Sequence, residues 1–385
     1  MTAGTEARHG EGHARPSPPA DEKFLYTLDA LRGIAMTVVV LNHLPDLRIH
    51  HLMPGADRVV DLFFVLSGFV LAHVYEPRFA RDLSGAGFIR LRMIRIYPLY
   101  FLALVLVAVF TLLPGLAGRP IAQPGIFLAS LAIGLFVLPT TQALSYRHHH
   151  LYPFNGAAWT LLWEILANIL WAAIAPRLTN RLLAGIVLIG FVILLWGATR
   201  PWGLNGGAGF DNWQVGAVRL IFTYFGGLAA YRVWISGGVR WFRIPAWLSA
   251  AILVAIVMGR PSSWGGLYDV MAILALPPLV LASTRDPPPF IRAFVARLGA
   301  VSYAVYILHY PVLLFLTFAL ARVGLPMKQL GIAGNALFVA LAFIAGLLAD
   351  RYFDRPVRRW LTRRLAPCNR GNVPGDRPAA ALTGD

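Results

Sequence analysis

Apolar runs of about 15 to 22 residues recur along this 385-residue chain from Leu28 to Phe353, separated by short clusters of Pro, Gly and Arg. Each run is close to the roughly 20 residues that a helix needs to cross the hydrocarbon core of a bilayer. Hydrophobic residues make up 57% of the chain, charged residues only 14%, and the mean hydropathy is +0.62. Strand-like alternation is absent. We therefore predict an all-α, polytopic transmembrane helical bundle.

Eleven runs are candidate spans, and arginine-rich segments between them indicate the orientation. The runs cover residues 28–46, 58–75, 96–114, 125–139, 157–175, 182–199, 215–234, 244–259, 267–284, 299–320 and 331–353. The positive-inside rule places segments 78–95, 231–243, 284–297 and 355–364 in the cytoplasm. This assignment conflicts with eleven crossings, and the short run 125–139, which lies between two prolines, suits a re-entrant or interfacial helix better. We predict ten crossings of the inner (plasma) membrane, or eleven if 125–139 also crosses, with both termini cytoplasmic.

Both ends of the chain are polar and lack a packing pattern, so we expect a transmembrane domain at 24–366 between disordered tails at 1–23 and 367–385. The first tail has no apolar segment of the kind that a cleavable signal needs. The formal charge of +16 does not indicate a nucleic-acid partner, because the arginines flank apolar runs. The single cysteine excludes an intrachain disulfide and a thiolate cluster, and adjacent histidines at 148–150 fit a solvated loop better than a metal site.

The first run, LDALRGIAMTVVVLNHL, carries Arg32 and His43 eleven residues apart. This spacing is three helical turns plus about 20°, so both lie on one face about 16 Å apart, and Asp29 joins that face. An ionised group at a helix centre costs about 2.5 to 3.5 kcal/mol, which predicts that these side chains face protein or a wet cavity. The alternative is that Arg32 anchors the cytoplasmic end and His43 is an interfacial histidine.

Asp61 opens the second span near its outer end, where the first span places His43. A carboxylate there would fix the imidazole tautomer and raise its basicity, as a catalytic base requires. A helix-capping role for Asp61 is the alternative.

The fifth and tenth spans carry polar stripes. Thr160, Glu164, Asn168 and Trp171 share one face of the fifth span, and Glu164, roughly 10 Å inside, needs a partner, for which Arg32 and Arg219 are candidates. Ser302, Tyr306 and His309 share a face of the tenth span, just before Pro311. Both stripes also suit plain helix–helix association.

Arg92 and Arg95 lie three residues apart where a span leaves the cytoplasm. Paired guanidiniums suit phosphate oxygens, although ordinary positive-inside anchors or lipid contacts would have the same sequence.

Six segments together resemble the acyltransferase 3 family of integral-membrane O-acyltransferases. In chain order they are LRGIAMTVVVLNH with the R-x10-H spacing of Arg32 and His43, DLFFVLSGFVL, RMIRIYPLY with the R-x-x-R pair, WTLLWE, SYAVYILHYPV and FDRPVRR. They run from residue 28 to 359. Asp354 departs from the Glu that we expect in the last segment. From the sequence we expect no segment here that corresponds to the extracytoplasmic domain that some members carry.

The resemblance implies an acyl-CoA co-substrate, usually acetyl-CoA, taken from the cytoplasm, no permanently bound cofactor, and a glycan or lipid-linked saccharide whose hydroxyl accepts the acyl group. We therefore expect an enzyme in which His43 is the general base, Asp61 orients it and Glu164 positions Arg32 or the acceptor. Arg32, Arg92 and Arg95 are the expected phosphate ligands. Tyr306, His309, Asn168 and Arg219 are the expected substrate contacts.

Two other classes of function remain open from the sequence. In a proton-coupled transporter or flippase of polysaccharide export, Asp29, His43, Asp61 and Glu164 would form a proton relay, although no inverted repeat is evident. In a purely structural assembly factor of an export system, none of these ionisable residues would matter singly.

Overall fold

The computed structural model describes residues 25–44, 51–116, 123–146, 150–237, 242–261, 263 and 265–365. The two predicted tails, 1–23 and 367–385, lie outside these residues. Within them the regular elements are helices, and the one β-type pairing is an isolated bridge between His150 and Gly209. The prediction of an all-α fold is confirmed.

Twelve helices of eleven residues or more occur in the described part of the chain. They are α1 Tyr26–Asn42, α2 Arg58–Phe79, α3 Gly85–Leu116, α4 Pro124–Leu135, α5 Trp159–Ile174, α6 Asn180–Ala198, α7 Gln214–Ile235, α8 Ala246–Met258, α9 Gly265–Ala282, α10 Pro289–Arg322, α11 Met327–Ala349 and α12 Arg355–Leu365. A π-helical segment, Asp350–Asp354, joins α11 to α12.

Among the described residues, seven helices are long and apolar enough to cross a membrane by length and composition. They are Arg58–Phe79, Gly85–Leu113, Gly156–Arg177, Asn180–Ala198, Gly265–Ala282, Pro289–Arg322 and Gln329–Leu365. α4 and α8 are apolar but shorter, and the 12 residues of α4 extend only about 18 Å. A helical membrane bundle is thus confirmed, whereas ten crossings and the side on which the termini lie remain predictions.

Helix directions follow from contacts along each pair. α1 and α10 run parallel, because Asp29 lies against Gly299, and His43, fourteen residues after Asp29, contacts His309, ten residues after Gly299. α3 runs the same way, since the Tyr303 hydroxyl donates to the Ile96 carbonyl oxygen and further along the ring of Phe110 packs on that of Phe315.

α2, α5 and α7 run in the opposite direction. Arg92 of α3 pairs with Glu164 of α5, while Gly85, seven residues earlier, lies against Ala172, eight residues later. This arrangement makes α3 and α5 antiparallel, and it brings the end of α5 to the start of α3.

Four arginine-rich segments meet at one end of the bundle, which we call the basic end. Arg232 pairs with Glu76 at 2.8 Å, Arg90 donates to the Leu365 carbonyl at 3.0 Å, and the Thr27 hydroxyl donates to the Arg285 carbonyl. The described parts of segments 78–95, 231–243, 284–297 and 355–364 therefore lie on one side, as a common cytoplasmic location requires. We call the opposite end, at which α1 ends and α2 begins, the far end.

Two helices extend beyond their predicted apolar runs toward the basic end. α3 begins at Gly85 and not at residue 96, and α10 begins at Pro289 and not at residue 299. Hydropathy marks where the apolar surface ends, whereas a helix continues through charged residues once these find partners. Arg92 and Arg95 consequently lie on a helix and not in a loop.

Close approach of α2 and α7 depends on two glycines. A Cβ on Gly68 would overlap the Tyr224 carbonyl oxygen, and one on Gly227 would overlap the Val65 carbonyl oxygen. Small residues that let two backbones approach are a common device in membrane helix pairs.

We predict that Gly68→Ala lowers stability, because the added methyl must push the α2 and α7 backbones apart, at a cost of about 1 to 3 kcal/mol. Gly185→Ala in α6 is the matched control, since a Cβ there meets nothing within 4 Å, and it should leave stability unchanged or raise it slightly. Thermal unfolding of the purified protein in detergent measures both. Equal melting temperatures for the two variants would contradict this account of the helix crossing.

Candidate active site

Three layers of contacts lie along α10, each turned by about 60° around the helix axis from the one before. His309 packs edge-on against His43 with ring centroids 4.6 Å apart. One turn earlier the Tyr306 hydroxyl lies 2.7 Å from the Thr160 hydroxyl, and another turn earlier the Tyr303 ring lies under the Arg95 guanidinium at 5.4 Å. Steps of three residues correspond to about 4.5 Å, so the arginine layer lies about 9 Å from the histidine layer along the helix axis.

Backbone carbonyls set the orientation of both imidazoles. His43 Nδ1 lies 2.8 Å from the Val39 carbonyl oxygen, and His309 Nδ1 lies 2.6 Å from that of Tyr306. A carbonyl only accepts, so Nδ1 is the protonated nitrogen and Nε2 is the basic nitrogen of each neutral ring. His309 is fully buried, whereas His43 is half-buried. The sequence-based candidates His43 and His309 thus come together in the tautomer that a general base needs.

Asp61 lies at the far end, but its contacts are not with His43. Its Oδ1 lies 3.2 Å from Arg219 Nε and its Oδ2 lies 3.1 Å from Arg58 Nη1, with all three side chains buried. The expected orientation of His43 by Asp61 is therefore not found. Two guanidiniums attract a buried carboxylate far more strongly than a neutral imidazole does.

This charged cluster extends to a loop of the far end. Arg58 also approaches Asp269 at 3.7 Å, and Asp269 accepts from Arg260 at 2.9 Å. Arg58 and Arg219 both donate to the Leu204 carbonyl, at 2.7 and 2.9 Å. The cluster fixes the loop against α2 and α7. Arg219, which we predicted as a substrate contact, is thus part of a cluster that holds the fold together. The only indication of this cluster in the sequence was the presence of charged residues within apolar runs.

Glu164 pairs with Arg92 at 2.6 Å and accepts from the Ser67 hydroxyl at 3.4 Å. The two partners expected for it were wrong: Arg219 is in the far-end cluster, and Arg32 pairs with Asp29 at 2.8 Å, one turn earlier on its own helix. The antiparallel packing of α3 and α5 explains the difference.

The other phosphate candidate, Arg95, pairs with Asp354 at 3.1 Å. Arg95 is 31% exposed and Arg92 is 14% exposed, so Arg95 retains the more open surface. The position whose role the sequence left in doubt, Asp354, thus holds an arginine of the R-x-x-R pair. The sequence analysis assigned no role to Asp354 and missed Tyr303 and Ser67, because each acts through a residue on another helix.

The remaining candidates divide between the layers and the core. Tyr306 donates to the Ala157 carbonyl at 2.9 Å and lies between the arginine and histidine layers. Asn168 is buried one turn beyond Glu164 and accepts from the Tyr224 hydroxyl at 2.9 Å. Asn168 therefore packs against α7, away from the histidine layer.

Comparison with known proteins identifies the chain. A model of the acyltransferase domain of the acyltransferase 3 type matches residues 25–351. The chain belongs to this acyltransferase family. With its long apolar helices, it is an integral membrane acyltransferase, as the six motifs predicted.

Three curated relatives give the range of similarity. "Protein 2 in picA locus" of Rhizobium radiobacter is 32% identical over 200 residues, which cover 48% of this chain and 98% of that protein. The exopolysaccharide production protein ExoZ of Rhizobium meliloti is 26% identical over 353 residues, 85% of this chain and 97% of ExoZ. The peptidoglycan O-acetyltransferase OatA of Listeria monocytogenes is 22% identical over 381 residues, 88% of this chain but only 56% of OatA. No solved structure matches the chain.

We predict that Asp61→Asn destabilises the fold, because it leaves two buried guanidiniums without their shared carboxylate, a loss of about 3 to 5 kcal/mol. The apparent melting temperature should fall by roughly 5 °C or more. Asp211→Asn, an exposed aspartate of the neighbouring loop, is the control and should leave it unchanged. A stable Asp61→Asn protein that loses only turnover would restore the histidine-orienting role.

Proposed function

We propose that this acyltransferase moves an acyl group, most simply acetyl, from cytoplasmic acyl-CoA to a hydroxyl of a glycan or lipid-linked saccharide. The observation that carries the proposal is the series of contact layers along α10, which places guanidiniums near the basic end and an imidazole pair about 9 Å further along the helix axis. The names of ExoZ and OatA support a polysaccharide acceptor.

In this proposal His43 is the general base. Its Nε2 takes the proton of the acceptor hydroxyl while the hydroxyl oxygen attacks the thioester carbonyl carbon. The carbon–sulfur bond then breaks, and the leaving thiolate takes the proton from His43, so that the products are an ester and CoA. The Val39 carbonyl, which accepts from Nδ1, keeps the basic nitrogen at Nε2.

Arg92 and Arg95 are the proposed ligands of the donor phosphates, with Arg32 contributing from α1. Each has a carboxylate partner that neutralises part of its charge: Glu164 for Arg92, and Asp29 for Arg32. A guanidinium has five N–H donors, and one carboxylate contact leaves others for a phosphate. Glu164 is then a positioning residue for Arg92.

The proton-relay alternative has less support. Asp29, Asp61 and Glu164 each pair with a different arginine and form no chain of acidic groups with His43. A proton path across a membrane needs ionisable groups that follow one another in space.

We predict that His43→Gln lowers acyl transfer at least 100-fold while the protein remains inserted and folded, since a general base contributes roughly 10² to 10⁴ in rate. His51→Gln, a change of an exposed histidine that precedes α2, is the control and should retain activity. The mass of surface glycans from cells that express each variant measures transfer and also identifies the acyl group. Normal acylation by His43→Gln would remove this residue from the base role.

We also predict that Arg92→Ala raises the KM for acetyl-CoA about tenfold or more, with little change in kcat, because a charged hydrogen bond to phosphate is lost. Glu164→Gln should raise KM less, and the double variant should show less than the sum of the two effects, as expected for residues in contact. Arg81→Gln, a change of an exposed arginine in the turn before α3, is the control. Additive effects, or a change in membrane insertion alone, would favour a simple anchoring role for Arg92.

A further inference from the structure

A buried carboxylate joins the C-terminal helix to the proposed phosphate site. Asp354 is fully buried, and its Oδ2 lies 3.1 Å from Arg95 Nη1 and 2.8 Å from Arg358 Nε. Arg95 and Arg358 come from α3 and α12, which are far apart in sequence. One carboxylate oxygen therefore holds two guanidiniums next to each other.

The π-helical segment and α12 make this arrangement possible. The π-helical segment ends at Asp354, and α12 begins directly after it. At its other end α12 is attached to α3, where Arg90 donates to the Leu365 carbonyl at 3.0 Å. The last helix thus lies along the start of α3, with Arg358 on the side that faces Arg95.

The two arginines keep charge and donors that Asp354 does not use. Asp350 lies 3.8 Å from Arg358 Nη2 and pairs with Arg355 at 2.8 Å. Three arginines thus share two carboxylates, which leaves a net positive charge. The contact of Arg95 with Asp354 is through Nη1, and the closest contact of Arg358 with Asp354 is through Nε. Both remain partly accessible, at 31% and 18%, and Tyr303 supports Arg95 from below. Adjacent guanidinium forks suit the oxygens of a phosphate.

We propose that Arg358 is a further ligand for the phosphates of the nucleotide donor, and that Asp354 is the positioning residue that aligns Arg358 with Arg95. This inference rests on the proposed function, because the donor is the phosphate-bearing substrate there. It assigns a binding role to α12, which the expected set of Arg32, Arg92 and Arg95 did not include.

An anionic lipid headgroup offers the same phosphate chemistry, so the test must separate the two sources. The exposed arginines of α12, among them Arg359, lie on the same helix with an exposed Trp360 and are suited to a membrane surface. Arg359 has no ion-pair partner among the described residues and carries the same charge as its neighbour Arg358. Arg359→Gln is therefore a matched control for charge and for position.

The experiment measures binding of coenzyme A and of pantetheine, which has no phosphate, to the full-length protein in nanodiscs of phosphatidylcholine with and without phosphatidylglycerol. We expect Arg358→Gln to raise the Kd for coenzyme A at least tenfold in both lipids and to leave pantetheine binding unchanged, while Arg359→Gln changes either Kd less than twofold. An equal loss for the two variants, an equal loss for coenzyme A and pantetheine, or an effect only with phosphatidylglycerol would overturn the proposal.

Other outcomes are equally decisive. If the unmodified protein binds no coenzyme A, the donor assignment of the proposed function fails, and the phosphate role of Arg358 fails with it. If it binds coenzyme A and Arg358→Gln binds as well, only the present inference fails.

Asp354→Asn tests the positioning role. It removes a negative charge, so charge alone would lower the KM for acetyl-CoA, whereas misaligned guanidiniums would raise it at unchanged kcat. We expect KM to rise at least fivefold with kcat preserved. A lower KM, or a parallel loss of kcat and of thermal stability, would contradict a positioning role.

Discussion

Charged side chains inside an apolar bundle must find partners, and this constraint shapes the whole molecule. An unpaired charge in a membrane helix is costly, whereas a guanidinium that meets a carboxylate with good geometry is tolerated. At the far end Asp61 is shared by Arg58 and Arg219, and at the basic end Asp354 is shared by Arg95 and Arg358. Each shared carboxylate joins segments that are distant in sequence.

The two clusters have different consequences for function. In the far-end cluster Asp61, Arg58 and Arg219 are fully buried and hold a loop, so the cluster stabilises the fold. At the basic end the arginines remain partly exposed. Tyr303, which lies under Arg95, belongs to α10, the same helix that carries His309. Tyr303, Tyr306 and His309 recur every three residues, so one helix aligns the proposed donor phosphates with the proposed base. The glycine contact between α2 and α7 lets the surrounding helices pack closely.

The sequence was sufficient for the fold class, the family and several local relations. The R-x10-H spacing placed Arg32 and His43 on one face, and the ion pair of Arg32 with Asp29 lies within one helical turn. Polar stripes correctly placed Thr160 and Tyr306 on inward faces, because a period of 3.6 residues is readable in an apolar helix.

Partners on different helices could not be read in the same way. Glu164 of α5 pairs with Arg92 of the antiparallel helix α3, and Asp61 of α2 pairs with Arg219 of the parallel helix α7. A single sequence does not show how far one helix is shifted along the bundle relative to another, so it could not give these pairs. The sequence analysis placed the starts of α3 and α10 about ten residues too late. The reason is that the first turns of both helices are polar, so the apolar run begins after the helix does. Asp354 looked like a minor departure from a motif until its two arginines were seen together.

The most direct test of the central claim is an experimental structure of the full-length protein with coenzyme A bound, determined by electron cryomicroscopy in nanodiscs. The account predicts phosphate density against Arg92 and Arg95 at the basic end, and the thiol beside the His43–His309 pair. Coenzyme A phosphates at the far end, or a thiol separated from His43 by packed helices, would contradict it.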